Sequence, residues 1–400
     1  MGYDASIGRR IASVRAQRGL TQQGLAQRAH VSYSSITKVE AGHRAASPVL
    51  TAACARALNV PVTDLTGQPY FDALKRDELE RLIQPMRHAI AMPMLPTQRE
   101  VPPRPLREIR QNVATLEASR LRGEYMSIGA EAPSLIHELL ALIDGAAGRG
   151  RQLAYDTLAA VYRLAHALVY KLGFLDLSLL ALDRMDQAAD HSTDPFLPVV
   201  VTHYRANYYL HHAAYDIGLR DVARMEGLLE DPARAGDARA LSALGTMHLK
   251  AAVLHSRRRA PTSAADVASR IKEARKLARQ LAEEPDPYGL VFDPHNVEIH
   301  AVSSLLDLGD VGRAAEDGAE LHFPDGWAMN RSAHHHMDMG RAYARLGRPD
   351  DALAALVDAR AAAPAQTRYH PTTRETVLDL LRRRGGPDRQ VAAFARWVGV

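Results

Sequence analysis

Apolar residues recur at helical spacing along almost the whole chain. Ile7, Ile11 and Val14 fall at i, i+4 and i+7, which predicts a first helix ending near Gly19. Thr21 suits the N-cap of a short second helix that buries Leu25 and Ala29. A turn at His30-Val31 leads to Ser32, the cap of a third helix with Ile36 and Val39 inward and Gly42 at its end. Leu50, Ala53, Cys54 and Ala57 form a fourth stripe, and Val60, Val62 and Leu65 mark a fifth helix. Five short helices in residues 1–68 predict one small core.

Residues 72–92 form an amphipathic connector with Leu79, Leu82, Ile83 and Met86 on one side. The stretch MPMLPTQREVPPRP (92–105) breaks helix repeatedly at its prolines and reads as a domain boundary and hinge. The expected division is therefore 1–68, a connector and linker at 69–105, and a body at 106–400. From Leu106 onward, helical stretches alternate with Gly, Asp and Pro breaks. In the unit 334–364, Gly340, Tyr343, Gly347, Ala352, Leu356, Ala359 and Pro364 resemble the tetratricopeptide repeat (TPR) in type and spacing. Leu172-Gly173, Ile217-Gly218 and Leu308-Gly309 resemble the Leu346-Gly347 break of that unit. The expected body is an α-solenoid of six or seven TPR-like helix pairs with a concave inner wall. The fold class is all-α.

The net charge of +4 is unevenly divided. Residues 1–68 carry eight Lys/Arg against Asp4, Glu40 and Asp64, a balance of +5, so the remainder sums to −1. A basic head on a neutral body is the asymmetry expected if the head alone meets a polyanion. With Cys54 as the one cysteine, no intramolecular disulfide forms. No signal segment opens the chain and no run approaches a membrane span, so a cytoplasmic protein without a membrane partner is expected.

On the third helix, Ser34, Thr37 and Lys38 point outward, with Tyr33 at its N-terminal shoulder. Hydroxyls, a phenol and an ammonium suit base edges and phosphates in a major groove. Gln22 and Ser32 stand at helix N-termini, where side-chain donors and backbone N–H groups meet phosphates, and His43 and Arg44 follow the third helix. The segment resembles the Cro/C1-type (XRE-family) helix-turn-helix domain. The residues that carry the resemblance are Leu20-Thr21-Gln22, Leu25-Ala26, Val31-Ser32, Ile36, Val39-Glu40, Gly42, Ser47-Pro48 and Leu58-Asn59-Val60. It implies binding to a double-stranded DNA operator as a homodimer, and a buried structural ion pair between Arg15 and Glu40. His30 stands where that family more often has Gly, which predicts a slightly different turn. The whole arrangement, with VFDPHNVEIH (291–300) and RYHPTTRETVLDLLRR (368–383), resembles XRE-type regulators with TPR-like C-terminal domains.

Aligning the repeat units on their glycines places His334, Asp338 and Arg341, then Asn296 and His300, then Arg205, Tyr209 and His212 on the inner wall, with Asn207 nearby. Asn pairs with peptide groups and Arg clamps carboxylates, so these are candidate ligand residues for a peptide or small molecule. His334-His335-His336 with Asp338 does not make a metal site, because consecutive helical histidines point apart. No Gly-rich phosphate loop, nucleophile elbow or paired-carboxylate signature appears, so neither an enzyme nor a cofactor is expected. The leading expectation is a ligand-sensing transcriptional regulator. The alternative is a DNA-tethered scaffold whose repeats bind a partner protein.

Overall fold

A computed structural model describes residues 6–92, 102–281, 286–383 and 389–400. Most of the stretch read as a proline-broken hinge lies outside the described residues. The head contains α1 (Ile7–Gln17), α2 (Gln22–Ala29), α3 (Tyr33–Glu40), α4 (Pro48–Leu58) and α5 (Val62–Thr66). Each of the first four begins where a Ser or Thr hydroxyl accepts a backbone N–H of the first turn: Ser6, Thr21, Ser32 and Ser47. Such caps satisfy donors that the helix itself cannot. His30 closes α2 in the left-handed conformation, φ 53°, which glycine adopts most readily. Ile11, Leu25, Ile36, Cys54 and Leu65 are fully buried in the head's core. α1 crosses α3 so closely that a Cβ on Gly8 would overlap the Val39 carbonyl.

The connector comprises α6 (Phe71–Arg76) and α7 (Glu80–Ala91), two helices where the sequence pattern suggests one. The break comes at Asp77-Glu78, where Glu78 takes φ 58°. Leu82, Ile83 and Met86 of α7 lie in the large core cluster of the body.

The body opens with the pairs α8 (Leu106–Arg122) and α9 (Tyr125–Gly145), then α10 (Gly148–Leu172) and α11 (Leu175–Ala189). Next come α12 (Leu197–His211) with α13 (Tyr215–Arg234), and α14 (Ala238–Arg258) with α15 (Ser263–Gln280). They are followed by α16 (Pro294–Leu308) with α17 (Val311–Ala319), and α18 (Met329–Arg345) with α19 (Pro349–Ala362). A short α20 (Pro364–Tyr369) precedes the last pair, α21 (Pro371–Arg383) and α22 (Arg389–Val398). The described residues contain no strand, and the class is all-α. In α18 and α19 the small residues do what their spacing suggests: a Cβ on Gly340 would stand 3.0 Å from Leu356.

Two further sequence expectations change in the body. Gly218 is not an interhelical break but lies in the first turn of α13. The turn after α12 falls at His212-Ala213, where Ala213 takes φ 50°. Anchoring that unit on Gly218 displaced its register by five residues, about 140° around a helix. Second, one helix, α9, does reach the length and apolarity of a membrane span. It packs against α7, α8 and α10 inside the body, with Ile128, Leu135, Ile136 and Leu139 fully buried.

The stack of pairs also closes on itself. α8 reaches α18, and α10 reaches α20. Asn330 Nδ2 donates to the Arg120 carbonyl at 3.3 Å and Tyr125 Oη to Gln366 Oε1 at 3.3 Å. The inner wall therefore faces an enclosed interior instead of an open groove.

The head docks on α21. The buried Glu375 carboxylate accepts the N–H of Ile7 at 3.1 Å through Oε2 and of Ala46 at 3.2 Å through Oε1. Gln68 Nε2 donates to the Tyr369 carbonyl at 3.3 Å, and the Arg374 guanidinium lies 3.9 Å from the Tyr70 ring centroid. Leu175 of α11 packs against the head's core. Replacing Glu375 with Ala strips the carboxylate from two N–H groups. A destabilisation of about 1–3 kcal/mol by urea unfolding is expected. Glu375→Gln, which retains one acceptor, should fall between the variant and the wild type.

Candidate functional site

The exposed face of α3 rests on one ion pair. Arg15 Nε lies 2.7 Å from Glu40 Oε1, Nη2 lies 2.9 Å from Oε2, and Nη1 donates to the Leu20 carbonyl at 2.7 Å. The hydrogen bond to Glu40 raises the pKa of Arg15 above its ordinary value. This fork ties α1 to the end of α3. Gln22 Nε2 also donates to Glu40 Oε2, at 2.8 Å, so the side chain is part of the brace that orients α3 against α2.

On the opposite face, Tyr33, Ser34 and Lys38 are exposed, and Tyr33 is 54% accessible despite its large apolar ring. The Thr37 hydroxyl donates to the Ser34 carbonyl at 3.2 Å. Ser32 accepts the Ser35 N–H and shares a 2.7 Å hydroxyl contact with Ser35. His43 is exposed, whereas Arg44 is half-buried at the edge of the junction between head and body. The sequence candidates thus separate into an outward trio, a brace and a junction residue.

Of the wall candidates, Asn207, His300, His334, Asp338 and Arg341 lie near one another or near shared partners. Asn207 Oδ1 accepts from Lys250 Nζ at 2.8 Å, and His334 Nε2 is 3.9 Å from Asp338 Oδ2. Arg341 joins Asp338 at 3.1 Å and Asp307 at 3.4 Å. Burial, with neighbouring cations including Arg331, holds His300 and His334 well below the usual imidazole range. The other candidates serve elsewhere. Arg205 pairs with Asp183 and Asp186 of α11, and Tyr209 donates to Asp221 of α13. The His212 ring lies tilted against Tyr208, centroids 4.2 Å apart, while Asn296 Nδ2 donates to the Val291 carbonyl at 2.6 Å. The shifted register of α12 accounts for Arg205, Tyr209 and His212. His334 lies beside His370, but Nε2 of His335 meets the Gly318 carbonyl, so the histidine run diverges.

Sequence reading missed the cations of this interior. Lys250 is buried on α14, where burial first, then Arg331, Arg257 and Lys171, push its pKa down to about 7. Lys171 is likewise pushed down to about 8, by burial, Arg331 and Arg120. The signal was present in HLKAAVLH (248–255), a lysine within an apolar helical run. A small cavity of about 10 Å³ remains beside His166, Tyr170, Tyr204 and His211. Cys54 is fully buried and its thiol is pushed up to about 12 by burial and by Glu40, which makes it a packing residue and not a nucleophile.

A family model described as a helix-turn-helix domain matches residues 6–66. No curated protein and no solved structure matches the chain. The head is a helix-turn-helix DNA-binding domain.

The buried lysine makes stability depend on pH. Its folded pKa of about 7 lies below the roughly 10.4 of an unfolded lysine, so between those values the unfolded chain binds more protons. Stability should therefore rise as pH increases from 7 towards 10. Urea unfolding at pH 7 and pH 9 should show that gain in the wild type and a smaller one in Lys250→Met, with Lys171 supplying the remainder.

Proposed function

We propose that the protein is a sequence-specific transcriptional regulator of the Cro/C1 (XRE) type. It binds an operator as a homodimer, and its TPR-like body senses a signalling ligand, mediates dimerisation, or both. The observation that carries this reading is the outward trio Tyr33, Ser34 and Lys38, held by the Arg15–Glu40 brace within a helix-turn-helix head. An exposed phenol on a short helix has no packing role, and beside a hydroxyl and an ammonium it suits base edges. The two heads of a dimer would address half-sites about 34 Å apart. The interior cations Lys171, Lys250 and Arg331 lack a carboxylate within ion-pair distance among the described residues, which supports an anionic or carboxylate-bearing ligand.

The alternative reading, a DNA-tethered scaffold, draws on the outer face of α13. Ile217 and Leu228 are both about half exposed there and lie three turns apart on one face.

Selection of bound sequences from a random DNA pool, at stated salt, tests the regulator. Recovery of a two-fold motif with half-sites one helical turn apart is expected. An unenriched pool from folded protein would sink the sequence-specific reading. In that assay Lys38→Ala should cost about 1–3 kcal/mol and relax preference at one position if the ammonium reads a base. A uniform loss across sequences, with a salt slope smaller by about 1, would instead place Lys38 on a phosphate.

A further inference from the structure

Where the head meets the body there is a cleft of about 390 Å³, within the size range of small-molecule sites. Its lining is dominated by arginine. The head contributes Arg44 and Arg56, the end of α14 contributes Arg257 to Arg259, and α18 contributes Arg341 and Arg345. Only two carboxylates, Glu375 and Asp379, share this lining, and Glu375 is occupied by the N–H groups of Ile7 and Ala46.

Part of this charge is balanced from behind. Arg257 meets Asp307 at 2.7 Å, Arg258 meets Asp216 at 3.0 Å, and Arg341 meets Asp338 and Asp307. Arg44, Arg56 and Arg345 have no ion pair among the described residues. Arg345 is crowded enough by burial, then Arg341, Arg44 and Arg259, for its pKa to fall to about 10. Two buried polar atoms in the lining, Arg341 Nε and Tyr215 Oη, have no hydrogen-bond partner. Buried donors left unpaired are rare and costly in native proteins. Hydroxyls of Ser32, Ser35, Thr372 and Thr376 add further donors, while Ala29, Leu50, Ala53, Ala213 and Ala344 supply an apolar side.

We propose that this cleft binds a small organic oligophosphate, with the phosphates among Arg44, Arg56 and Arg345 and the organic part against the alanine-rich side. Multiply charged phosphate is the anion that arginine forks from three directions match best, and the apolar side accommodates a ring or short chain. A duplex is too large to enter a cleft of this volume, and a monocarboxylate would leave most of the cations unanswered. The site shares Arg341 with the inner wall and lies between the two parts of the molecule, so its occupant ties head to body. It also engages Arg44 and the N-cap of α3, two groups placed to meet DNA phosphates. Ligand and operator therefore compete, each weakening the other by the same factor. The competition rests on the regulator reading above, whereas binding itself does not.

The test uses the full chain and inorganic triphosphate as the probe, with calorimetry in the absence of DNA. Saturable binding at one site is expected, weakened about tenfold or more by Arg345→Glu and by Arg56→Glu. Both side chains reach solvent, and their variants should melt no lower than the wild type. Arg224→Glu, the same charge change at a solvent-exposed position of α13, should leave affinity within about twofold. Absence of binding, or equal loss in all three variants, overturns the site. An acidic hexapeptide that binds where triphosphate does not overturns the phosphate assignment. DNA binding is then measured with and without triphosphate at matched ionic strength. A reduced affinity is expected, and an unchanged one overturns the competition while leaving the site intact. Failure to bind any DNA in the probe's absence counts against the regulator reading and not against the site.

Discussion

A carboxylate buried between two parts of the chain holds much of the molecule's organisation. Glu375 receives the N–H groups of Ile7 and Ala46, one at the start of α1 and the other just before α4. Burial raises its pKa, and the two hydrogen bonds act against that rise by favouring the charged form. These contacts set which side of the head meets α21, and therefore which side remains free. Tyr33, Ser34 and Lys38 are left outside, while Arg44 and Ser32 come to the edge of the cleft.

The docking surface also explains an otherwise puzzling distribution of charge. The head is basic, as a DNA-binding domain must be, and it is set beside the arginine-rich ends of α14 and α18. Bringing cations together across a junction costs Coulomb energy that falls only with counter-charge or separation. Asp307, Asp216 and Asp338 supply some of that counter-charge through Arg257, Arg258 and Arg341. The remainder, on Arg44, Arg56 and Arg345, has no ion pair among the described residues.

Closure of the solenoid has a parallel effect within the body. An open stack would leave its inner wall to water, where lysines and histidines keep ordinary pKa values. Contacts of α8 with α18 and of α10 with α20 enclose that wall. Lys250, Lys171, His300 and His334 are consequently displaced towards their neutral forms by loss of solvent and by one another's charge.

Local signals carried the head almost completely. Four Ser/Thr caps, a left-handed turn at His30 and apolar residues every third or fourth position determine five helices, because each signal acts within a few residues of itself. The α18–α19 pair was equally legible, since Gly340 and Ala352 mark a close helix approach in their own pair. Gly218 misled because a glycine inside a helix and one after it look alike in sequence, and only packing against Leu254 and Tyr209 distinguishes them. Tertiary structure alone decided that the solenoid closes, that Glu375 reaches across more than three hundred residues to the head, and that arginines from three helices and a loop face one cleft. Those outcomes depend on long-range geometry and on charges summed across distant segments, and neither leaves a periodic trace in the chain.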